Sequence, residues 1–320
     1  MSSHRLLVSR RDETVSGEDV VAGVPMYGAK ADQIGSYRES AFPLIKRSVG
    51  DLFSLSRSKN YVLGLLEVDV TEARELIRQH EAETGEALSF TAWIARCLAQ
   101  AVSEFPPANS YRKGSRRVVE FEDVDVLVVV EKQVGVSRYP LPYVIRKANE
   151  KTVQTIHNEI RLAQTGQFRN EGTAIREEAS RDPKSILLRV ANPWILPTFV
   201  RRLYWRGFRT NPFKVKRVMG TTGITAVGMF TRGGGWAIAP GAHTIDLGIG
   251  GIARRPRVIG DQIAIGDFLD LSIQVDHEMV DGAPAARFAA RLSQLMESAF
   301  GLETIGRSER TRLSAPQPWQ

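Results

Sequence analysis

Residues 268–297 read FLDLSIQVDHEMVDGAPAARFAARLSQLME, and the order of events in that stretch decides the fold. An apolar run, DFLDLSIQV (267–275), has the composition of a strand and ends on Asp276-His277. Asp281 follows four residues after His277, and Gly282 frees the backbone for a close approach before the next element. That element, PAARFAARLSQLMESAF (284–300), carries Ala285, Phe288, Ala289, Leu292, Leu295 and Met296 at helical spacing on one face. An imidazole delivered at a strand end can accept a proton from a thiol or hydroxyl near neutral pH, with the carboxylate fixing local geometry or charge balance. The same residues also make an ordinary strand-end His followed by a turn Asp, and the spacing alone leaves both readings open.

Strands and helices intersperse along the rest of the chain without a regular βαβ period, which predicts an α+β fold with a large mixed sheet. YVLGLLEVDV (61–70) reads as a strand, and Thr71 caps a helix that stops at Gly85. Ser89 opens a second helix with Trp93, Ile94, Cys97, Leu98, Ala101 and Val102 on its apolar stripe, and Pro106-Pro107 stop it. RRVVEF (116–121) and DVDVLVVVEK (123–132) read as strands, the second apolar at consecutive positions and so buried on both faces. Residues 43–57 and 150–164 have helical spacing; 220–230, 243–253, 257–265 and 268–276 read as strands.

The context of the 276–282 segment identifies a family. VDHEMVDGAPAARFAARLSQLME resembles the DHRxxDG segment of the 2-oxo acid dehydrogenase acyltransferases, the E2 catalytic domains, which share a fold with chloramphenicol acetyltransferase. NYVLGLLEVDVTEA, SFTAWIARCLAQAVSEFPPANSY, VVEFEDVDVLVVVEK, GTTGITAVGMF and LGIGGIARRPRVIGDQIAI resemble further segments of that family, in family order. Together the matches cover about 42–165 and 218–300. The resemblance implies a chloramphenicol acetyltransferase-like fold, coenzyme A as acyl-thioester substrate, and transfer of an acyl group between that thioester and a thiol or other acceptor. It implies His277 as the base, Thr225 as donor to the tetrahedral oxyanion in place of the family's Ser, and Asp281 at the motif carboxylate. Asn109, Gly228 and Gly282 are the matched substrate-binding positions. Thr keeps the hydroxyl that such a step needs, although its β-branch stiffens χ1. A homotrimer is implied too, with His277 of one chain facing Thr225 of its neighbour.

Three features depart from the family pattern. Glu278 stands where the motif has Arg, which either raises the basicity of the neighbouring His or repartners a salt bridge. No lipoyl domain, lipoylation turn or Ala/Pro-rich linker is evident, so a lipoylated or acyl carrier protein is expected in trans, with no covalent lipoyl group on this chain. A basic-aromatic insertion spans 167–217. The expected organisation is an N-terminal arm (1–41), a catalytic domain (42–303) containing that insertion, and a flexible tail (304–320).

Lys+Arg 43 against Asp+Glu 36 gives a net charge of +7. From Lys184 to Arg217 there are nine basic residues and no acidic one. With Trp194, Phe199, Tyr204 and Trp205 among them, four readings stay open: a subunit contact or lid, a dock for an acidic carrier or for coenzyme A phosphates, an anionic membrane surface through 185–217, or nucleic acid, for which no module is present. A non-catalytic trimeric scaffold, or a membrane-surface enzyme acting on lipid-linked or carrier-bound substrates, remains the alternative function.

Hydrophobic residues at 42% and charged residues at 25% exclude a chain disordered over most of its length. No run approaches ~18 apolar residues, so no spanning helix is expected. The start MSSHRLLVSRRDETVSGEDV lacks the features of a secretory signal. The single cysteine, Cys97, excludes an internal disulfide, a Cys-rich zinc site and an iron–sulfur cluster. The expected compartment is the cytoplasm, with peripheral membrane contact as a variant; no metal is expected. His80 and His157 read as surface residues, His243 as a surface or core residue, and Cys97 as core.

Overall fold

A computed structural model of the chain describes residues 56, 59–134, 137–165, 207, 210–228 and 233–302. These fall in one compact unit, Ser48–Gln320; the other unit, Met1–Arg47, lies outside the described residues. The expected arm (1–41), the helix at 43–57, most of the 167–217 insertion and the tail from 304 also lie outside them.

Among the described residues there are eight strands and five α-helices. The strands are β1 (Tyr61–Asp69), β2 (Ser110–Lys113), β3 (Arg117–Glu120), β4 (Val126–Val134), β5 (Ser137–Ile145), β6 (Thr222–Ala226), β7 (Ile245–Ile259) and β8 (Gln262–Asp276). The helices are α1 (Thr71–Thr84), α2 (Phe90–Ser103), α3 (Val153–Thr165), α4 (Pro212–Met219) and α5 (Gly282–Glu297). A mixed six-stranded sheet runs β1-β8-β7-β6-β4-β5, and β2-β3 form a separate hairpin. This is the α+β architecture expected.

One face of the sheet is buried under α2, α3 and α5. Helix α2 is apolar almost all round, and Ala92, Trp93, Ile94, Cys97, Leu98 and Val102 are all fully buried. Trp93 donates its indole N–H to the carbonyl of Phe300 at 3.1 Å, so the buried ring leaves no polar atom unpaired. Truncating such a side chain to Ala costs about 3–5 kcal/mol. The other face carries a strap, residues 233–244, whose carbonyls or amides bond Asp270, Ser272 and Gln274 of β8. The strap can lie flat because β7 is glycine-rich there: a Cβ on Gly248 would stand 1.9 Å from the Ala237 carbonyl oxygen.

Several local expectations are corrected. Thr71 does not cap α1 through its side chain; its hydroxyl bridges Asp69 and the Asp267 amide instead, tying β1 to β8. Ser89 caps α2 as expected, accepting from the Ala92 amide, and Gly85 ends α1 at φ 74°. The three strands expected over 243–276 are two, because Gly260 at φ 59° turns the chain inside the stretch read as 257–265. Strand β5 carries Pro140 and Pro142, which conceal it in the sequence; it is the sheet edge, where a missing N–H costs nothing. Pro212 occupies the first turn of α4, with Asn211 as N-cap. His157 is buried rather than on the surface; its Nδ1 accepts the Ser89 amide at 2.9 Å.

Candidate active site

The turn that follows β8 is hydrogen-bonded at every amide. Asp276 N–H donates to Thr244 O (2.9 Å), His277 N–H to Asn60 O (2.9 Å), and both Met279 and Val280 N–H to Asp276 O (2.9 and 3.1 Å). Glu278 N–H donates to Asp276 Oδ1 at 3.2 Å. Val280 drops into the core. The backbone is therefore fixed, while the His277 side chain stands exposed and its imidazole makes no hydrogen bond among the described residues.

Asp281 is the N-cap residue of α5 with extended backbone (φ −70°, ψ 165°), and its carboxylate makes no capping bond. It is exposed, as is Gly282, whose Cβ position opens on empty space. No hydrogen bond joins Asp281 to His277 among the described residues.

Glu278 has repartnered. Its carboxylate takes Arg112 of the β2–β3 hairpin at 2.8 Å and Asn60 Nδ2 at 3.3 Å. The departure at this position has repartnered a salt bridge, as one of the two expectations had it.

Thr225 stands on β6 opposite Gly248 of β7, which in turn pairs with Ser272 of β8. Ile224 is buried in the helix-covered face, so Thr225 points to the strap side, half-buried, its hydroxyl making no bond among the described residues. From the level of Ser272 to His277, at about 3.3 Å per residue and about 4.8 Å per strand, the two residues of one chain stand on the order of 20 Å apart. A single chain does not bring them together.

Asn109 and Gly228 have structural partners. The Asn109 amide donates to the carbonyls of Phe121 (2.5 Å) and Asp123 (3.1 Å), closing the base of the hairpin, and its Oδ1 is buried with no partner among the described residues. A Cβ on Gly228 would lie 1.7 Å from the Gly250 carbonyl oxygen, so close backbone packing alone requires glycine there.

His243, left open by the sequence, is core. Its Nδ1 meets Asp246 at 2.5 Å and its Nε2 meets the Met219 carbonyl at 2.9 Å, so both ring nitrogens are occupied. Burial would push the Asp246 carboxyl up, but His243 and the amides of Ala242 and His243 hold it below the usual carboxylate range. Tyr61 donates to the His243 carbonyl at 2.8 Å; burial, with Asp246 and Asp276 nearby, pushes its phenol well above its ordinary value, so it stays a donor. Burial likewise pushes the Cys97 thiol up and leaves it inert. Among the described residues no group of three or more His, Cys, Asp or Glu could hold a metal ion, and no helix is long and apolar enough to cross a membrane.

A cavity of about 360 Å³ adjoins the turn, between the hairpin, α4 and residues 276–279. Lys59, Tyr111, Arg112, Met219, Asp276 and Glu278 line it, and His277 does not. A larger groove of about 720 Å³ lies at the opposite end of β1, among Asp69, Glu72, Glu75, Arg257 and Glu297. The residues that sequence reasoning missed are Lys59, Asn60 and Arg112. No motif marks them, because their contacts with the turn span well over a hundred positions.

The family description for the 2-oxoacid dehydrogenases acyltransferase catalytic domain matches residues 45–176 and 209–302. That is more than half of the chain, and the chain belongs to this family. The unmatched gap falls within the insertion. The lipoamide acyltransferase component of the branched-chain alpha-keto acid dehydrogenase complex of Bacillus subtilis (strain 168) is 25% identical over 253 residues, 77% of this chain and 49% of that protein. The chain thus spans about half the length of this curated relative. Among solved structures, the cubic core of the pyruvate dehydrogenase multienzyme complex superposes with a TM-score of 0.60 at 17% identity, covering 87% of this chain and 98% of that one. The dihydrolipoamide acetyltransferase of Azotobacter vinelandii gives 0.59 at 18%, with the same coverage; its description names a serine, a histidine and an asparagine in the catalytic mechanism. These likenesses establish the fold.

Proposed function

We propose that the protein is an acyltransferase that moves an acyl group between a coenzyme A thioester and a thiol acceptor, dihydrolipoamide or a carrier-bound thiol supplied in trans. His277 takes the proton from the attacking sulfhydryl. The thiolate adds to the thioester carbonyl, and Thr225 donates its hydroxyl to the oxyanion that forms. Collapse expels the other thiolate, which takes the proton back from His277. Nothing is oxidised and no other reactant is consumed.

The observation that carries this reading is the free, solvent-facing imidazole on a backbone turn whose every amide is bonded. A second observation supports it. The serine, histidine and asparagine named for the Azotobacter vinelandii enzyme are separated along its chain by the same numbers of residues as Thr225, His277 and Asp281.

The distance between Thr225 and His277 within one chain makes the site incomplete without a second copy. We therefore assign the active assembly as a homotrimer, each site pairing His277 of one chain with Thr225 of the next. The strap-side face supports this, because Val129 and Val227 stay exposed beside Thr225. Asp281 and Gly282 are exposed like His277, and a Cβ at Gly282 would meet nothing within 4 Å, which leaves room for substrate in this reading. Residues 42–303 form the catalytic domain in this reading, and 185–217 adds basic charge for an acidic carrier or an anionic membrane surface. The cytoplasm is the proposed compartment.

The test is a screen of acyl-CoAs with thiol release as readout. One or more acyl-CoAs turned over by the wild type and lost on His277→Ala, by about 10²–10⁴-fold, is the expected result. No turnover of any acyl-CoA with any thiol acceptor, or unchanged turnover in His277→Ala, overturns the reading.

A further inference from the structure

We propose that Lys59 is a positioning residue for the base: its ammonium locks Asp276, and with it the turn that presents His277, onto the strap at His243. The inference rests on His277 being the base and adds a residue that no motif marks.

The Lys59 ammonium bonds Asp276 Oδ2 at 2.8 Å and the His243 carbonyl at 3.2 Å. Its side chain is only 18% exposed and that of Asp276 6%, so the pair is largely withdrawn from water. The other carboxylate oxygen of Asp276 accepts the Glu278 amide. The Asp276 carboxylate thus reaches past His277, one oxygen held by the Lys59 ammonium and the other by the amide of Glu278. Asn60 completes the clamp, its carbonyl taking the His277 amide and its side chain reaching Glu278.

The third bond gives the arrangement its direction. The carbonyl that Lys59 shares belongs to His243, and that same oxygen accepts the Tyr61 hydroxyl. His243 is itself held at both ring nitrogens. Lys59 therefore ties the turn to the most rigidly bonded residue of the strap. Charged hydrogen bonds in a dry setting are stronger than neutral ones, and removing one partner strands the other charge. Without the ammonium, Asp276 must recruit water or turn outward, and either motion carries the amides of 277 and 278 with it. A base displaced by about 1 Å loses on the order of 10²-fold in rate.

The charged groups around the turn are Lys59, Arg112, Asp276, Glu278 and Asp281. Arg112 is committed to Glu278, and the Asp281 carboxylate makes no bond among the described residues. Lys59 is the cation that touches the Asp276 carboxylate, and it lies on the segment leading into β1 rather than on the motif.

The experiment compares wild type, Lys59→Met, Lys59→Arg, Asp276→Asn and His277→Ala in the assembled protein, with the acyl-CoA that the wild type turns over. Lys59→Met is expected to lower kcat by about 10–100-fold with KM for acyl-CoA within about twofold. Lys59→Arg, which can bond the same two oxygens, restores most of kcat. Amide hydrogen exchange at 276–280 speeds up in Lys59→Met while exchange in helix α2 stays at wild-type rates. Wild-type kcat in Lys59→Met, equal loss in Lys59→Met and Lys59→Arg, or unchanged exchange at 276–280 overturns the proposal. Should Lys59→Met not fold, Asp276→Asn removes the same ionic tie at constant volume, and wild-type kcat there overturns it equally. Full activity in His277→Ala defeats the assignment of the base instead, and that result is read without any Lys59 variant.

Discussion

Arg112, on the β2–β3 hairpin, holds the Glu278 carboxylate at 2.8 Å, one residue beyond His277. The partners lie on separate elements, and Arg112 also bonds the Gly114 carbonyl within its own hairpin. The acidic residue next to His277 is thereby neutralised locally, and the hairpin is pinned over the cavity beside the turn. Both side chains are about half exposed, at 52% and 40%, so the pair contributes only about 0.2–1 kcal/mol. Glu278→Arg is expected to lower the melting temperature slightly, by setting two guanidinium groups against each other. The swap Arg112→Glu with Glu278→Arg recovers it. A double-mutant cycle on thermal midpoints checks this, and additive losses in the swap would show that the pair has no coupling.

Gly228 and Gly282 separate packing from chemistry. A methyl group at Gly228 collides with the Gly250 carbonyl, whereas one at Gly282 meets nothing within 4 Å and sits at an ordinary helical start. Gly228→Ala is expected to destabilise the fold by about 1–3 kcal/mol, the usual result of overpacking. Gly282→Ala leaves the unfolding midpoint near the wild type and, if substrate passes over this position as proposed, lowers turnover. Chemical denaturation and thiol-release rates on both variants decide the matter. A Gly282→Ala enzyme with wild-type kinetics would leave that glycine without a role in substrate approach.

His157 gives the fold a pH dependence. Burial holds its imidazole below the ordinary value, Arg161 and His80 add to the lowering, and Glu86 opposes it. As pH falls, the unfolded chain takes up the proton before the folded one. The stability that neutral His157 contributes is therefore whole above about pH 6.5 and is lost as pH falls through the depressed folded value. Protonation would also remove the acceptor that holds the Ser89 amide at the start of α2. Urea midpoints measured from about pH 7.5 down to pH 5 should fall further for the wild type than for His157→Gln. Parallel curves would assign the acid sensitivity to other groups.

How much of this was legible in the sequence follows from the range of the interactions. Local signals were readable: Ser89 and Gly85 at helix ends, the β8–turn–α5 unit, and the apolar stripe of α2. Elements that depend on their place in the sheet were not. Strand β5 contains Pro140 and Pro142, which only an edge position tolerates, and nothing in the local composition says that it is an edge. Helix α4 begins on a proline in a segment dominated by breakers. At the site, His277, Asp281 and Thr225 could be picked out by motif, but the clamp could not. Lys59 and Asn60 are ordinary residues before a strand, and they meet residues 276–278 only because β1 pairs with β8 along its whole length, Tyr61 opposite Asp276. His157 reads as polar-helix decoration until Ser89 is brought against it. The strap explains Gly248 and Gly250, and the β7 backbone explains Gly228, as packing positions, which a motif match cannot distinguish from substrate contacts.

The proposed division of the site between two copies makes the sharpest prediction. Within one chain Thr225 and His277 lie two strands and on the order of 20 Å apart. His277→Ala chains retain Thr225, and Thr225→Ala chains retain His277. Each variant alone is expected to be impaired, the first by about 10²–10⁴-fold and the second by about 10²–10³-fold. Unfolded together at equal concentration and refolded, they form mixed trimers. A site between chains then receives an intact His277 from one chain and an intact Thr225 from the next in about a quarter of cases, so about a quarter of wild-type activity returns. A site built within one chain would gain nothing from mixing, because every chain carries a defect. Thiol release by the co-refolded sample, against the same proteins refolded separately and then combined, distinguishes the two arrangements.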